Sequence, residues 1–452
     1  MFNSENAQRK WAPLLEHADC EPIKDNYRKA VTAVLLENQE KAMREERAQA
    51  SFLTEAEDTV ASNVQNFDPV LVALVRRAMP SLIAYDVAGV QPMSGPTGLI
   101  FSMVPLFKST KGSSTDGDVA FMGAADTQYA GDHRRGDAVS TAATSGEALD
   151  KETSVRDIGD GYSTAEAEAL DGEHDLSTSP QRGFGAMGFK IDKTTVTART
   201  RALKAGYTME LAQDLKAIQG LDAESELANI LSTEILAEIN REVIERIRSQ
   251  AVLPTNILNG GSEYSFTTDA DTLGARWGAE KFQTLVYRIE QYANAIGVAT
   301  RRGKGNFVIV SPNVGSALAA SGALNYSDSL TATGLQIDTV GNTFAGTLNG
   351  RLKVYIDPYQ SSDEVIVGYR GASPYDAGIY YCPYVPLTMV KAVGEEDFQP
   401  RIAFKTRYGL VSNPLCLANG ASLGGVADNS TELAAAGTNV YFRKFTVAGL
   451  TA

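Results

Sequence analysis

The chain has 452 residues, of which 43% are hydrophobic and 21% charged, a composition typical of a globular protein with two or three domains. The formal net charge is −14 at pH 7, and so acidic a surface repels phosphate, which argues against strong nucleic-acid binding by the chain as a whole. No run of about 18 apolar residues and no apolar signal core occurs, so we expect neither a membrane span nor secretion. The three cysteines (Cys20, Cys382, Cys416) lack paired spacing, which predicts a reducing compartment without a disulfide framework or zinc site.

The first predicted element is an amphipathic helix over residues 24–47. Its apolar face consists of residues spaced by three and four: Tyr27, Val31, Val34 and Leu35. This stripe is narrow, so the helix needs a packing partner. The alternative is an ordinary surface helix of the main domain. A polar segment without periodicity, residues 57–67, follows it.

A second helix is predicted to begin at Asp68, which can cap it, because Pro69 fits the first helical turn. This helix stops near Pro80. The apolar run over residues 81–93 then predicts a strand.

The next part of the chain predicts a protruding β-hairpin. A strand is expected at 99–107, and a single long strand is expected from Met187 onward, where apolar alternation returns. Residues 108–183 between them are rich in Gly, Ser, Thr, Ala and Asp. Such a segment buries too little apolar surface for a large core, so it predicts an extended arm with a small insert.

Two helices follow. The first covers residues 209–219 and is closed by Gly220. The second runs from Asp222 to about Gln250, with acidic residues in its first turn and basic residues in its last, as the helix dipole favours. At about 42 Å it is longer than a compact domain usually needs. Its predicted buried stripe consists of Leu227, Ile230, Leu231, Ile235, Ile239, Val243 and Ile247.

The remainder of the chain mixes helices and strands. A helix is predicted at 277–300, a buried strand at NFVIVSP and a short helix at NVGSALAASG. Strand patterns recur at RLKVYID, EVIVGYR, GIYYCPYVPLTMV, RIAFKTRYGL and NVYFRKFTV. The predicted fold class is therefore α+β.

No pattern predicts an active site. The three histidines, His17, His133 and His174, lie outside the predicted rigid elements, whereas catalysis needs groups held within about half an ångström. The sequence RRGKGNF lacks phosphate-loop spacing. The sequence DIGDGY, beginning at Asp157, has glycines where a calcium loop needs oxygen ligands. We therefore expect no catalytic residue, no metal and no cofactor.

Several blocks resemble the major capsid proteins of T-even-type tailed phages. They include VRRAMPSLIAYDVAGVQPMSGPTG (75–98), MGFKIDK, LKAGYTMELAQDLKAIQGLDAESEL, GKGNFVIVSPNV, YDAGIYYCPYVPLT and FKTRYG, in family order over most of the chain. The likeness is weak between residues 108 and 183, where this chain is shorter than the T-even prototype. The resemblance implies the Hong Kong 97-type phage capsid fold, with a peripheral domain built on a long spine helix, an axial domain, an extended β-hairpin loop and an N-terminal arm.

This family architecture implies six parts for the chain. They are a removable pro-segment (1–55), an N-terminal arm (56–94), the extended loop with a low-complexity insert (95–200), a peripheral domain with the spine helix (201–279), an axial domain (280–370), and a return to the peripheral domain with C-terminal strands (371–452).

The resemblance also implies a processing site. Phage maturation proteases of this type cut after a glutamate that follows an apolar residue two positions earlier, a pattern that Leu53-Thr54-Glu55 matches. The predicted cut lies between Glu55 and Ala56, in a junction without periodicity that can become extended, with Leu53 filling an apolar pocket of the protease. The alternative is a frayed helix end with two surface apolar residues, Phe52 and Leu53.

The function implied by the resemblance is structural. The chain would be a major capsid subunit that self-assembles into capsomers and a virion head shell around double-stranded DNA, without sequence-specific DNA binding. Assembly would occur in the host cytoplasm. The implied partners are further copies of the chain, the vertex protein, an internal scaffold docked on the helix at 24–47, the maturation protease, the host chaperonin with a phage co-chaperonin, and decoration proteins.

Two alternatives remain at this point. The paralogous capsid vertex protein has the same fold and forms pentamers. A protein of another class, such as the maturation protease itself, would need a rigid Ser-His pair, which the three histidines do not supply.

Overall fold

The computed structural model describes residues 4–16, 23, 25–53, 82–109, 114, 116–120, 129–130, 164–168, 184–253, 263–265, 277–326, 343–393, 399–414 and 436–450. Within these residues helices and β-sheets are mixed, so the predicted α+β class is confirmed. The helices are α1 (Ser4–Leu15), α2 (Asn26–Leu53), α3 (Ala84–Val87), α4 (Thr164–Glu168), α5 (Met209–Ile218), α6 (Ala223–Gln250), α7 (Gly278–Thr300) and α8 (Pro312–Ala320).

The strands belong to three sheets. They are β1 (Gly89–Val90), β2 (Thr97–Phe107), β3 (Met187–Thr197), β4 (Arg199–Gly206), β5 (Ala251–Val252), β6 (Glu263–Ser265), β7 (Phe307–Val310), β8 (Leu324–Tyr326), β9 (Thr343–Leu348), β10 (Leu352–Ile356), β11 (Glu364–Gly368), β12 (Ile379–Val393), β13 (Pro400–Ser412) and β14 (Asn439–Ala448). The predicted strands from residue 307 onward are all confirmed.

The two central helices begin and end where their sequences indicate. The side chain of Thr208 accepts a hydrogen bond from the amide of Leu211 at the start of α5, and Gly220 follows that helix with a φ of +70°. The side chain of Asp222 accepts from the amide of Glu224 at the start of α6. Such caps satisfy amides that have no partner inside the helix. Both helix predictions are confirmed.

The N-terminal region differs from the prediction in two ways. Helix α2 continues to Leu53 and does not end at residue 47, because Ala48 and Ala50 favour the helix and no glycine or proline interrupts it. The run over 81–93 is not one strand, since α3 precedes the two-residue β1. A short, wholly buried apolar run does not distinguish a helical turn from a strand by periodicity.

The predicted hairpin is present as a two-stranded antiparallel ribbon. Strands β2 and β3 pair along their full length, from Thr97 opposite Thr197 to Phe107 opposite Met187. The expected single long strand is wrong, because it divides at Ala198 into β3 and β4. The ladder ends beside Pro96, whose carbonyl accepts from the Ala198 amide and which has no N–H of its own to continue the pairing.

The second sheet has four strands in the order β1-β12-β13-β4. Strand β4 continues the ribbon into this sheet by pairing antiparallel with β13, from Gly206 opposite Arg401 to Arg199 opposite Tyr408. Helix α6 is tied to β4 through Arg201, which donates to Glu238 at 2.9 Å and to Glu242 at 2.6 Å. The ribbon, the sheet and the longest helix therefore share one framework.

The third sheet is mixed and has the strand order β5-β14-β11-β7-β10-β9-β8, with β6 also paired to β14. Helices α7 and α8 contribute to the hydrophobic cluster on this sheet, which includes Leu285, Ile289, Ile296 and Leu318. The C-terminal strand β14 lies inside this sheet, next to β11.

Helix α6 lies at the centre of the largest hydrophobic cluster. The buried residues of its predicted stripe are Leu231, Ile235, Ile239, Val243 and Ile247. Two members of the stripe were wrong, since Leu227 is only half-buried and Ile230 is 61% exposed. Ile230 is one residue from Leu231, which turns it about 100° away from the core on a helix with 3.6 residues per turn.

Two arginines on α6 connect it to the third sheet. Arg241 donates to the buried carboxylate of Asp357 at 2.7 Å, and Arg248 donates to Glu364 at 2.6 and 2.8 Å. Burial raises the pKa of Asp357, with Arg241 acting against the shift. Hydrogen bonds from Arg248 lower the pKa of Glu364. The polar groups at this junction are thus paired.

Candidate functional site

One face of the β2–β3 ribbon is apolar and exposed. Its members alternate along both strands and therefore project to the same side. We call this surface the ribbon face: Leu99, Phe101, Met103, Met187, Phe189 and Ile191. Phe101 is 56% exposed and Phe189 64%. Burying a large apolar side chain contributes about 1.5–3 kcal/mol, so a contiguous surface of this kind indicates a binding site.

The opposite face of the ribbon packs against its own chain. Ile100, Val104 and Val196 are buried, and Ile100 and Val196 share a cluster with Met93 and Tyr380 of the four-stranded sheet. Both faces of β2 are therefore apolar, but only one has a partner within the described residues. The exposed face is not needed to hold the ribbon on its own chain.

The far end of the ribbon is held by part of the predicted insert. Val119 forms an antiparallel bridge with Leu106. The Tyr129 hydroxyl donates to the Ala186 carbonyl and lies 2.8 Å from the Ser109 hydroxyl. The Tyr129 ring also packs on Phe107, with ring centroids 4.2 Å apart. These contacts fix the spacing of β2 and β3 at the end that projects furthest from the four-stranded sheet.

A second exposed apolar surface lies on α5 and the start of α6. None of the residues of α5 is buried. We call the face of α5 that carries Leu211 and Ile218 the helix patch; Met209, Leu221 and Ile230 are also exposed. Ile218 is 81% exposed. A capped helix that presents Leu211 and Ile218 to solvent, seven residues apart and so on one face, is a second candidate for contact with another molecule.

The sequence prediction missed both surfaces. The alternation of apolar residues at 99, 101 and 103, and again at 187, 189 and 191, was visible, but it was used only to predict strands. Apolar residues on both faces of a two-stranded hairpin were the signal, since such a hairpin cannot bury both faces against one sheet.

The predicted processing residues lie at the edge of the described region. Leu53 is the last residue of α2, while Glu55 and Ala56 lie outside the described residues. The junction expected to be extended is still helical at 51–53. Binding of Leu53 in a protease cleft in extended form therefore requires the last turn of α2 to unwind first.

The residues considered for chemistry do not form a site within the described part of the chain. His17, His133, His174, Cys20 and Cys416 all lie outside it. Cys382 is buried, and burial raises the pKa of its thiol to about 12. Among the described residues, no group of three or more His, Cys, Asp or Glu residues could hold a metal ion. The same residues include no helix with the length and apolarity needed to cross a bilayer.

Comparison with known proteins shows the family of the chain. The family described as "Major capsid protein Gp23" matches residues 64–447. The chain is 36% identical to the major capsid protein of Enterobacteria phage T4, with 98% of each chain covered. It is 39% identical to the major capsid protein of Serratia phage KSP90, covering 98% of this chain and 97% of that one.

Two weaker similarities complete the comparison. The capsid vertex protein of Enterobacteria phage T4 is 28% identical over 58% of this chain and 59% of its own length, so the vertex alternative has less support. A solved structure described as "The capsid of Myoviridae Phage XM1" aligns with a TM-score of 0.38 and 8% identity, over 81% of this chain and 92% of that chain, which is too distant to add to the assignment. The chain belongs to the major capsid protein family of T-even-type tailed phages, whose members are virion structural proteins and not enzymes.

Proposed function

We propose that the chain assembles with copies of itself into capsomers, and that these form the head shell around the double-stranded DNA of the phage. The ribbon face carries the proposal. It presents six large apolar side chains on a rigid two-stranded arm whose other face is buried on its own chain. A neighbouring copy under that arm would remove this surface from water.

The contacts would be between unlike surfaces. The ribbon face and the helix patch are separate surfaces on different elements of the chain. When one surface of a subunit binds a different surface of the next copy, the contacts run head to tail, and they form a ring when the rotation between neighbours closes. Many such contacts in one shell act together, so each can be modest.

We assign the structural roles accordingly. Helix α6, the four-stranded sheet and the ribbon would form the peripheral part of the subunit, with α6 as its spine. The third sheet with α7 and α8 would form the axial part that closes around a capsomer axis. The formal charge of −14 suits a wall that holds DNA without binding its sequence.

A double substitution in the ribbon face tests assembly. Phe101→Ser with Phe189→Ser should leave a folded subunit that forms no shells, because the variant loses apolar contact area without losing core contacts. Val390→Ser with Val393→Ser is the matched control, since both residues are exposed on β12 and lie on neither the ribbon face nor the helix patch. Sedimentation velocity and electron microscopy give the readout, with circular dichroism to verify folding. Normal shells from the ribbon variant would contradict the proposed role of this face.

We further propose that a phage protease removes the N-terminal segment after Glu55. The support is the Leu53-Thr54-Glu55 pattern directly at the end of α2. Glu55→Ala should leave small, unexpanded particles with an uncut subunit, whereas Glu57→Ala, two residues further on, should be cut normally. Mass spectrometry of purified particles reads the mature N-terminus, expected at Ala56. Normal-sized, DNA-filled heads from Glu55→Ala would count against a maturation role.

The remaining partners are proposals of the same kind: an internal scaffold, a vertex protein, decoration proteins, and a host chaperonin with a phage co-chaperonin. One detail of the scaffold proposal changes. Val31 and Leu35 of α2, expected to face the scaffold, are buried in the chain's own core. A scaffold would therefore contact the outer side of this helix, near Lys41. The copy number per virion separates a major subunit from a vertex subunit.

A further inference from the structure

Helix α2 covers the edge of the four-stranded sheet. Strand β1 is the edge strand, and the amides of Gln91 and Met93 donate to β12. The Val90 carbonyl belongs to the same trans peptide group as the Gln91 amide and so faces the other way, where it accepts from the Tyr27 hydroxyl of α2. An uncovered strand edge is a template for pairing with another chain. In the intact chain, α2 occupies that position.

Two further contacts complete the attachment. The Asn38 side-chain amide donates to the carbonyls of Met93 at 2.8 Å and Tyr384 at 3.0 Å, and so joins both strands. Arg28 donates to Asp86 at 2.6 Å. We call Tyr27, Arg28 and Asn38 the clasp. All three reach the segment that leads from α3 through β1 towards the ribbon.

The buried surface of α2 combines apolar side chains of the main cluster with polar ones, of which Glu40 pairs with Lys10 of α1. Thr32, Asn38, Gln39 and Glu40 are buried beside Leu35 and Leu36. Gln39 is 1% exposed, and within the described residues neither polar atom of its side-chain amide has a hydrogen-bond partner. Buried polar groups without partners weaken packing. The Gln39 amide therefore lowers the free energy that holds α2 on the chain.

We propose that the sheet edge beneath α2 is a binding surface for a second copy of the chain, covered by residues 1–55 until they are removed. The inference rests on the proposed removal of that segment. Its departure leaves the carbonyls of Val90, Met93 and Tyr384 without the donors of the clasp, beside apolar side chains of the main cluster. Another protein segment supplies both apolar contact and hydrogen-bond donors.

A second copy is the occupant that the geometry favours. Met93 lies at the base of the ribbon, where a Cβ added at Gly98 would be 3.0 Å from its sulfur. The uncovered edge therefore continues into the base of the ribbon, the element that the proposed function places against a neighbour. Met93 packs with Ile100 and Val196 on the buried face of this base, so a copy that extends around the base from the ribbon face would reach the edge as well, and the two contacts would add.

Loosening the clasp in the uncut, full-length chain gives the first test. Tyr27→Phe with Asn38→Ala removes three hydrogen bonds, and we expect roughly tenfold faster hydrogen exchange at residues 89–93 together with faster association. Glu37→Gln with Lys41→Ala, on the outer side of the same helix, is the matched control and should change neither. A folded clasp variant that exchanges and associates like this control overturns the proposal.

Competition by peptide gives the second test, which remains decisive if the clasp variant fails to fold. A site for a sequence-specific protease is placed between Glu55 and Ala56 of the full chain, and the folded protein is cut. A synthetic peptide of residues 4–53, in excess, should lower association to the level of the uncut chain, and the peptide with Tyr27→Phe and Asn38→Ala should do so at least tenfold less well.

The outcomes separate the two proposals. Assembly that proceeds equally with either peptide, or without one, overturns the covered edge and leaves self-assembly intact. A wild-type chain that never assembles, cut or uncut, overturns both. Unfolding of the cut chain when the segment departs, without association, overturns the covered edge in favour of a purely structural role for α2.

Discussion

The ribbon and helix α2 differ in which side chains they expose to water and which they bury. The ribbon exposes large apolar side chains, including Phe101 and Phe189, although it is firmly paired. Helix α2 buries polar side chains, including Gln39 and Asn38, the latter against Met93 and Tyr384. Each arrangement is costly in an isolated subunit, because apolar surface is favoured inside and polar groups outside.

The difference is explained if the isolated subunit is not the final state. An apolar arm gains stability only when a neighbour covers it, and a polar contact is easier to separate than an apolar one. The two regions are then complementary parts of an ordered process. The ribbon face is then a surface that a neighbouring subunit covers. Helix α2 covers another surface until its segment is removed.

The largest expected effect is a loss of stability when the packing of α2 on the core is weakened. Leu35 is fully buried in the main cluster, so Leu35→Ala should lower the free energy of unfolding of the uncut subunit by about 2–5 kcal/mol. Urea denaturation measures the change. Lys41→Ala, exposed on the same helix, should have almost no effect. An unchanged stability for Leu35→Ala would mean that α2 is not docked in solution.

The polar side of α2 offers a matched pair with opposite signs. Gln39→Leu replaces an amide that has no partner among the described residues and should stabilise the subunit by about 1 kcal/mol or more. Asn38→Leu removes a donor to two carbonyls and should destabilise by about 1–3 kcal/mol. The melting temperatures should therefore move apart. Equal shifts in melting temperature would contradict the difference between the paired Asn38 and the unpaired Gln39 at this contact.

The junction between α6 and the third sheet differs from the contact of α2, because its buried charges are paired. The pKa of Glu364 is lowered in the folded state, so its stabilisation is present above its ordinary value of 4.5 and is lost as the pH falls through the folded value. The pKa of Asp357 is raised in the folded state, so its contribution runs the other way, favouring the folded state on acidification and falling as the pH rises.

Neutral substitutions separate these two contributions. Glu364→Gln should make stability fall less steeply below pH 4.5, whereas Asp357→Asn should make it fall more steeply. Urea denaturation at a series of pH values from neutral to acidic measures both slopes. Identical slopes for the two variants would contradict the opposite pKa shifts.

The smallest expected effect is on the ribbon of the isolated subunit. Phe101→Ala should change its free energy of unfolding by no more than about 0.5 kcal/mol, since exposed positions contribute little. Val104→Ala, on the buried face of the same strand, should cost about 1 kcal/mol or more. Measurements must be made on unassembled protein. A large loss for Phe101→Ala would show that its face already packs within one subunit.

Helix signals with caps were sufficient to place α5 and α6 from the sequence. Thr208 and Asp222 act locally, and local hydrogen bonds are encoded by neighbouring residues. The division at Ala198 was not predictable in this way, because the periodicity of a strand does not indicate which other strand it pairs with. The pairing of β4 with β13 depends on residues 195 to 209 positions further along the chain, from Arg401 opposite Gly206 to Tyr408 opposite Arg199.

The candidate surfaces were harder to predict for a related reason. Exposure of Phe101 and burial of Ile100 are reversed by a change of one residue in register. The burial of Gln39 depends on how α2 docks, which its polar sequence does not indicate. The cleavage pattern at Leu53 and Glu55 was recognised through the family, and residues 54–81 lie outside the described residues, so that site remains a prediction.

The single residue between β3 and β4 has a mechanical consequence. Because only Ala198 separates the two strands, the ribbon is a stiff extension of the four-stranded sheet and not a tethered appendage. A force at the outer end of the ribbon is therefore transmitted to β4 and, through Arg201, to Glu238 and Glu242 of α6. In the proposed shell, strain introduced by a neighbouring copy would therefore reach the frame of the subunit directly, and a closed network of such subunits would resist internal pressure collectively.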